Sequence, residues 1–330
     1  MSPGSPGSPG SELPRVTCVA LSGGVGGAKL IAGRARVLVP SALLVVANTG
    51  DDFEHLGLHV SPDLDTLTYT LAGLNDLETG WGRAGETLSF MAALEALGGE
   101  TWFRLGDGDL ATHVERTRRL AAGESLSEIA ARFGARLGIA ARIVPMSDDP
   151  VRTIVRTPEG ALAFQHYFVR LRCEPEVSGF EYAGAEVARA NPALLEALDD
   201  PALEAIVICP SNPFISIDPI LALPQVKAKI RAAAAPAIAV SPIVGGRSLK
   251  GPTAKMMREL KLAENAAAIA RHYGDVLDGY VIDRQDGAIE EEVRALGLEV
   301  LVSDTVMTGA ADQVALARAV LGFAEACRQA

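Results

Sequence analysis

Val16-Thr-Cys-Val-Ala-Leu-Ser-Gly-Gly-Val-Gly-Gly-Ala-Lys29 decides the fold. Val16 to Leu21 is a short apolar run without alternation, the mark of a strand buried on both faces. It ends in Ser22-Gly-Gly-Val-Gly-Gly-Ala-Lys29, a glycine-rich turn leading into an alanine-rich segment. A buried strand, a glycine turn and a helix in immediate succession open a parallel α/β unit. Glycine lets the backbone approach a phosphate, and a helix N-terminus offers free N–H groups and a positive dipole end. Gly23, Gly24, Gly26 and Gly27 are therefore candidate phosphate contacts, with Lys29 as counter-charge. The loop is not a Walker A motif, because Lys29 follows Ala28 and precedes Leu30. It is not a dinucleotide fingerprint either, since Lys29 stands where the third glycine belongs.

Outward from this unit the pattern repeats. Ala42 to Ala47, Ala205 to Cys209, Ala237 to Val240, Gly279 to Ile282 and Glu299 to Val302 are further apolar strand candidates. Helical spacing covers Thr66 to Leu74, Glu86 to Leu97, Leu110 to Ala122 with Asp109 as N-cap, and about Thr308 to Cys327. Ser125-Leu-Ser-Glu128 is a capping box opening another helix. Residues 141–173 change character: Arg, Val, Ile, Phe and Tyr dominate, and Pro158-Glu-Gly160 forms a turn between two strand-like runs. The expected architecture is a doubly wound, mostly parallel Rossmann-like sheet with an inserted β-hairpin and helical lid. Residues 15–139 and 200–330 form the core, and 140–199 the lid. Residues 1–14, with their triple Ser-Pro-Gly repeat, are excluded from fold reasoning as a flexible tail or linker.

Composition narrows the function. Among 330 residues, 30 Lys+Arg face 41 Asp+Glu, a formal charge of −11 without a basic block, which speaks against a nucleic-acid partner. An apolar share of 48% excludes intrinsic disorder. The uncharged runs, such as Ala232 to Gly246, fall short of a membrane span, and no secretion signal is present. Cys18, Cys173, Cys209 and Cys327 are scattered, which points to reduced thiols and a cytoplasmic location rather than a disulfide framework or a zinc site.

In doubly wound sheets ligands sit at the carboxyl ends of strands, so motifs directly after strands carry the most weight. Asn48-Thr-Gly-Asp-Asp52 follows the second strand, and Ser61-Pro-Asp-Leu-Asp-Thr66 comes shortly after. Asp51, Asp52, Asp63 and Asp65 lie within fifteen residues, an acidic cluster suited to Mg2+, which takes one or two carboxylates together with waters and substrate phosphates. Capping and solvation are the plainer roles for any one of them. Gly80-Trp-Gly82 offers Trp81 as a stacking surface for a planar ligand. His113 stands four residues after Asp109, suited to a hydroxylated substrate; no zinc signature accompanies it. Met146-Ser-Asp-Asp149 and Gln165-His-Tyr-Phe168 flank the hairpin. Cys209-Pro-Ser-Asn-Pro213 and Ser241-Pro-Ile-Val-Gly-Gly246 follow later strands, and Lys250-Gly-Pro-Thr-Ala-Lys255 supplies counter-charges for a second phosphate or nucleotide cradle. Together these features indicate Mg2+-assisted chemistry on a phosphorylated or nucleotide substrate. No GxSxG signature is present, so a phosphoryl-type transferase is favoured over an ester hydrolase.

The ordered set Ser22-Gly-Gly, Asn48-Thr-x-x-Asp52, Ser61-Pro-Asp-Leu-Asp-Thr66, Trp81-Gly82, Asp109-x-Ala-Thr-His113, Pro145-Met-Ser-Asp-Asp-Pro150, Pro210-Ser-Asn-Pro213 and Ser241-Pro-Ile243 resembles the 2-phospho-L-lactate transferase family of coenzyme F420 biosynthesis, known as CofD or FbiA. The resemblance runs from about Val16 to about Ala324. It implies transfer of a phospholactyl or phosphoenolpyruvyl group from lactyl-2-diphospho-5′-guanosine or its enolpyruvyl counterpart. The acceptor would be the ribityl hydroxyl of 7,8-didemethyl-8-hydroxy-5-deazariboflavin (Fo), with GMP leaving. It further implies Mg2+, a homodimer, and metal ligation by Asp52 and Asp65. Asp63 or Asp65 would orient or deprotonate the hydroxyl. Gly23 to Lys29 and Asn48 would serve the donor diphosphate, and Ser211, Asn212, Ser241, Gly246, Lys250 and Lys255 the guanosine. Thr66, Trp81, His113, Met146, Asp148 and Phe168, with Asp63, would form the acceptor pocket. Two other readings share parts of the pattern: a nucleotide-sugar-binding regulator of the related gluconeogenesis-factor family, and a nicotinamide-dependent dehydrogenase, which the broken glycine fingerprint disfavours.

Overall fold

The structure, a computed structural model, describes residues 15–329; the expected tail at 1–14 lies outside them. The chain opens with β1 (Cys18–Ser22), α1 (Gly24–Val37) and β2 (Leu43–Ala47), then the small hairpin β3 (Phe53–His55) and β4 (Leu58–Val60). Four helices follow, α2 (Pro62–Ala72), α3 (Ser89–Ala96), α4 (Asp107–Ala121) and α5 (Leu126–Arg136), before β5 (Arg142–Pro145). Next come β6 (Arg152–Thr157), β7 (Gly160–Ala163), β8 (Gly179–Ala183) and α6 (Pro192–Asp199). After β9 (Ala205–Ile208) the chain forms α7 (Asp218–Leu221), α8 (Val226–Ala232), β10 (Ala237–Val240), the two short strands β11 (Ile243–Val244) and β12 (Arg247–Ser248), α9 (Thr253–Glu259) and α10 (Ala266–Tyr273). It ends with β13 (Gly279–Asp283), α11 (Glu290–Arg294), β14 (Glu299–Ser303) and α12 (Ala310–Gln329).

Seven strands make one sheet in the order β14-β13-β10-β9-β1-β2-β5, and every neighbouring pair is parallel. Chain order runs outward from β1 through β2 to β5, then crosses to β9 and runs outward the other way. The strand order therefore reverses between β1 and β9, the point where open sheets of this kind form their ligand crevice. β1, β2, β9, β10 and β13 are buried along their whole length, as expected for strands covered on both faces. Alternate residues supply the two cores. Val19, Leu21, Leu44, Val46, Ile206 and Ile208 face one layer with Leu194 of α6 and Ile269 of α10; Cys18, Ala20, Leu43, Val45 and Val207 face the other with Ile31 of α1 and Leu316 of α12. Gly33 lets α1 press directly on the Gln313 carbonyl of α12.

Three local expectations change. The 158–160 turn does join β6 to β7, and β8 completes a three-stranded antiparallel sheet, but Arg142–Pro145 pairs with β2 in the central sheet. Its Ile143 and Val144 are core residues, and α6 packs its Leu194 and Leu198 into the core as well, so the antiparallel insert is narrower than 140–199. The second helix begins at Pro62, whose fixed φ suits a first helical position, and not at Thr66; Asp65 is inside the helix and caps nothing. In α4 the N-cap is Gly106, not Asp109, and the amides of Gly108 and Asp109 donate to the Glu86 carboxylate at 2.7 and 2.9 Å. The capping box at Ser125 and Glu128 is formed as expected.

Candidate active site

Three loops meet where the strand order reverses. Ser22 and Ala47 are level across β1 and β2, and the Asn48 amide donates to the Ser22 carbonyl at 2.9 Å. On the other side Ser211, just past β9, donates its hydroxyl to the Gly23 carbonyl at 2.7 Å and accepts from the Gly23 amide at 3.3 Å. The glycines are required by crowding: a Cβ at Gly23 would overlap Asp63, at Gly26 the Pro210 carbonyl, and at Gly27 the Ser22 and Ser211 hydroxyls.

α2 enters this junction with its first turn. Residues two apart on a helix point to different sides, and this separates its two aspartates. Asp63 turns toward α1, where Oδ1 accepts from the Gly24 amide at 2.6 Å and Oδ2 from Asn48 Nδ2 at 2.9 Å. Asn48 Nδ2 also reaches Asp51 Oδ1 at 3.3 Å and the Ile215 carbonyl at 3.2 Å, while its Oδ1 accepts from the Gly50 amide. Asp52 accepts at Oδ2 from Ser61 Oγ (2.9 Å) and lies 3.1 Å from His59 Nε2. Its Oδ1 is buried and has no hydrogen-bond partner among the described residues.

Asp51, Asp52 and Asp63 thus form one buried acidic trio. Burial pushes the Asp63 carboxyl up to about 6, against the opposing pull of the Asn48 and Gly24 hydrogen bonds and with help from the Asp52 charge. Burial, then the charges of Asp63 and Asp52, raise Asp51 well above the carboxylate range. Three crowded carboxylates with one orphaned oxygen fit a hard divalent cation, whose charge offsets both the desolvation and the mutual repulsion. The expected partner Asp65 points elsewhere: both its oxygens accept from Arg116 of α4, which is fully buried.

Two lysines converge from opposite ends of the chain. Lys29 of α1 donates to the Met307 carbonyl at 2.9 Å, and burial, then the Lys250 charge, hold its ammonium below the ordinary lysine range. Lys250 donates to the Thr79 carbonyl at 2.7 Å, and the neighbouring Gly80 lies against both Lys250 and Val25 of the glycine loop. The 76–82 loop, with Trp81 55% exposed, therefore overhangs the glycine loop.

Other expected contacts have structural occupations. Asn212 accepts from the Phe214 and Ile215 amides at the start of a π-helical turn, Pro213–Ile217. Ser241 bonds its own loop through Ile243. Gly246 lies in the β11–β12 turn, whose Gly245 amide donates to Asp286. Lys255 is paired with Glu259 and donates to the Pro175 carbonyl, which ties the insert to α9. Met146 is fully buried and packs in the core. Asp148 is spent at the start of α5, where it accepts from the Ser127 amide at 2.7 Å. Phe168 is 37% exposed and stacks on Phe164 at 5.2 Å. Thr66 and His113 are buried, His113 lying 3.6 Å from Asp65 and 3.4 Å from Asp109.

Residues 18–315 match the family model described as 2-phospho-L-lactate transferase CofD. The chain belongs to the CofD family. A phosphoenolpyruvate transferase of Streptomyces griseus is 41% identical over 316 residues, covering 94% of this chain and 99% of the relative. A 2-phospho-L-lactate transferase of Methanosarcina mazei is 36% identical over 303 residues, covering 92% and 99%. A solved UPF0052-family protein from Bacillus halodurans superposes with a TM-score of 0.62 at 14% identity, over 94% of this chain and all of its own, a likeness of fold alone. Among the described residues no helix is long and apolar enough to cross a membrane.

For this CofD-family transferase the structure adds residues that sequence reasoning missed. Arg116 is one, hidden in a run of charges on α4 that reads as a solvated face. His59 and Ser61, on Asp52, are two more. A cluster of aromatic rings adjoins the trio: Phe53 lies 4.9 Å from Phe103, His55 5.0 Å from Trp102, and Trp102 5.6 Å from His166 of the insert. The signal was there in Phe53 and His55, two apart and directly after Asp52.

Proposed function

We propose that this protein transfers a phospholactyl or phosphoenolpyruvyl group to the ribityl hydroxyl of Fo, giving F420-0 or dehydro-F420-0. The donor would be lactyl-2-diphospho-5′-guanosine or enolpyruvyl-2-diphospho-5′-guanosine, and GMP would leave. The activities for which the Streptomyces and Methanosarcina relatives are named support the two three-carbon acids. One observation carries the reading of the site. Asp63 bonds the Gly24 amide of the glycine loop with one oxygen and, with its other, the Asn48 side-chain amide that also reaches Asp51, so anion-binding and cation-binding halves share a residue.

In this reading the glycine loop receives the donor diphosphate, and Lys29 and Lys250, which repel each other without an anion, gain their counter-charge. Asp51, Asp52 and Asp63 would hold Mg2+, which when bound neutralises the diphosphate and offsets charge on the leaving GMP. With Asp65 committed to Arg116, Asp63 is the carboxylate that would orient the attacking hydroxyl and accept its proton. Trp81 and the aromatic cluster offer flat apolar faces for the deazaflavin ring.

The test is mass spectrometry of mixtures of the protein, Mg2+, Fo and each guanosine donor. Product at the mass of F420-0 or dehydro-F420-0, with equal GMP, is expected and names the donor. Asp52→Asn should abolish turnover while leaving the fold intact. No product from a protein that still binds the nucleotide would favour the nucleotide-sugar-binding regulator instead.

A further inference from the structure

The acidic residues around α2 fall into two groups, and only one lacks a cation of its own. Asp65, Asp109 and His113 offer ligand atoms that all lie within 4.8 Å of one another. A histidine and two carboxylates at that spacing form a metal-ligand set. Yet Arg116, 1% exposed, is already there. Both its terminal nitrogens donate to Asp65, one at 3.1 Å to Oδ2 and the other to Oδ1, and the first also lies 3.4 Å from His113 Nδ1 and 3.4 Å from the His59 carbonyl. Asp109 is engaged on its far side by the Tyr69 hydroxyl at 2.6 Å. The guanidinium also feels the Asp52 charge across the gap between the groups. Its fork matches a carboxylate geometrically and cannot lose its proton, so it is a permanent resident charge. Among the described residues no lysine or arginine lies within bonding distance of Asp51, Asp52 or Asp63; His59 Nε2 is 3.1 Å from Asp52 Oδ2, and Asp52 Oδ1 is left without a partner.

Resting on the metal reading above, we propose that Arg116 stands where a second cation would otherwise sit. The acidic face then takes one divalent ion, at Asp51, Asp52 and Asp63, and Asp65 takes none. Arg116 is thus a positioning residue. It confines the ion to the trio beside the glycine loop by filling the neighbouring set with a charge that repels it.

Mn2+, which accepts the same carboxylate and water ligands as Mg2+, serves as the probe, with bound ion counted by electron paramagnetic resonance. The full-length wild type should bind a single Mn2+ per chain, and Asp52→Asn should weaken it by roughly tenfold or more. The double variant Asp65→Asn/Arg116→Gln removes both members of the buried ion pair together, and it should keep that ion within about twofold. Arg116→Gln alone should gain a second Mn2+, lost again when His113→Ala is added. Two ions in the wild type would overturn the proposal, as would loss of the single ion in the Asp65/Arg116 double variant. A folded Arg116→Gln that still binds one ion would do the same; if that variant does not fold, the double variant decides. A wild type that binds no Mn2+ would instead remove the metal reading itself, a result distinct from Mn2+ held through Asp65.

Discussion

Asp63 makes the metal-free protein's stability depend on pH in a sense opposite to the usual behaviour of carboxylates. Its carboxyl moves from an ordinary 3.8 to about 6 on folding, so the folded state binds the proton more tightly than the unfolded one. The stabilisation is complete below pH 3.8 and is lost as pH rises through about 6. Its full amplitude is about 3 kcal/mol, of which ~1.4 kcal/mol falls between about pH 5 and pH 8. For a folded chain of this length that corresponds to about 2 °C in melting temperature. Asp51, raised by the same burial and the same neighbours, adds in the same direction. The perturbation is Asp63→Asn, which cannot titrate. Thermal melts in chelator across this range should show the wild type losing about 2 °C relative to the variant as pH rises. On the proposed metal reading, in which Mg2+ binds the ionised trio, excess Mg2+ should return that loss to the wild type only. A difference between the two proteins that stays flat with pH in chelator would refute the reasoning, since it would mean that Asp63 is not desolvated in the free protein.

Two other outcomes follow from the geometry. Trp81→Ala should weaken Fo binding by about tenfold, the worth of one aromatic contact, and leave guanosine donor binding unchanged in a deazaflavin fluorescence titration; equal losses for both ligands would argue against stacking on the acceptor. Gly26→Ala drives a methyl into the Pro210 carbonyl, where backbone must move on both sides, and should cost about 1–3 kcal/mol in urea unfolding.

Much of this was legible in the chain. The continuous apolar runs at Cys18–Ser22, Leu43–Ala47 and Ala237–Val240 read as buried strands because nothing in them alternates. The glycine loop was equally plain, since crowding of that kind leaves no other residue type. What failed were inferences from neighbours in sequence. Asp63 and Asp65 look like a pair in Ser61-Pro-Asp-Leu-Asp-Thr66, but starting the helix at Pro62 sends them to opposite sides, one to Gly24 and one to Arg116. Met146 and Asp148 follow a strand as ligand-binding residues do, yet one is core and the other serves the start of α5. Arg142–Pro145 was grouped with the hairpin because its composition matches; its pairing with β2 is decided by contacts across the sheet that no local pattern encodes.

The arrangement of α1 has a consequence for how the chain is made. β1 and α1 are synthesised long before β9 and α12, but β1 pairs with β9, the glycine loop rests on Pro210 and Ser211, and α1 packs along α12. On the ribosome the first strand–helix unit must wait for some two hundred residues before one flank is covered, and for nearly three hundred before the other is. Contacts so distant in sequence fold slowly, and an apolar strand left open in the meantime is exposed to wrong partners. The glycine loop, made well before the segments it rests on, is among the last parts of the protein to take shape, so a truncated or stalled chain would carry the motif without the site.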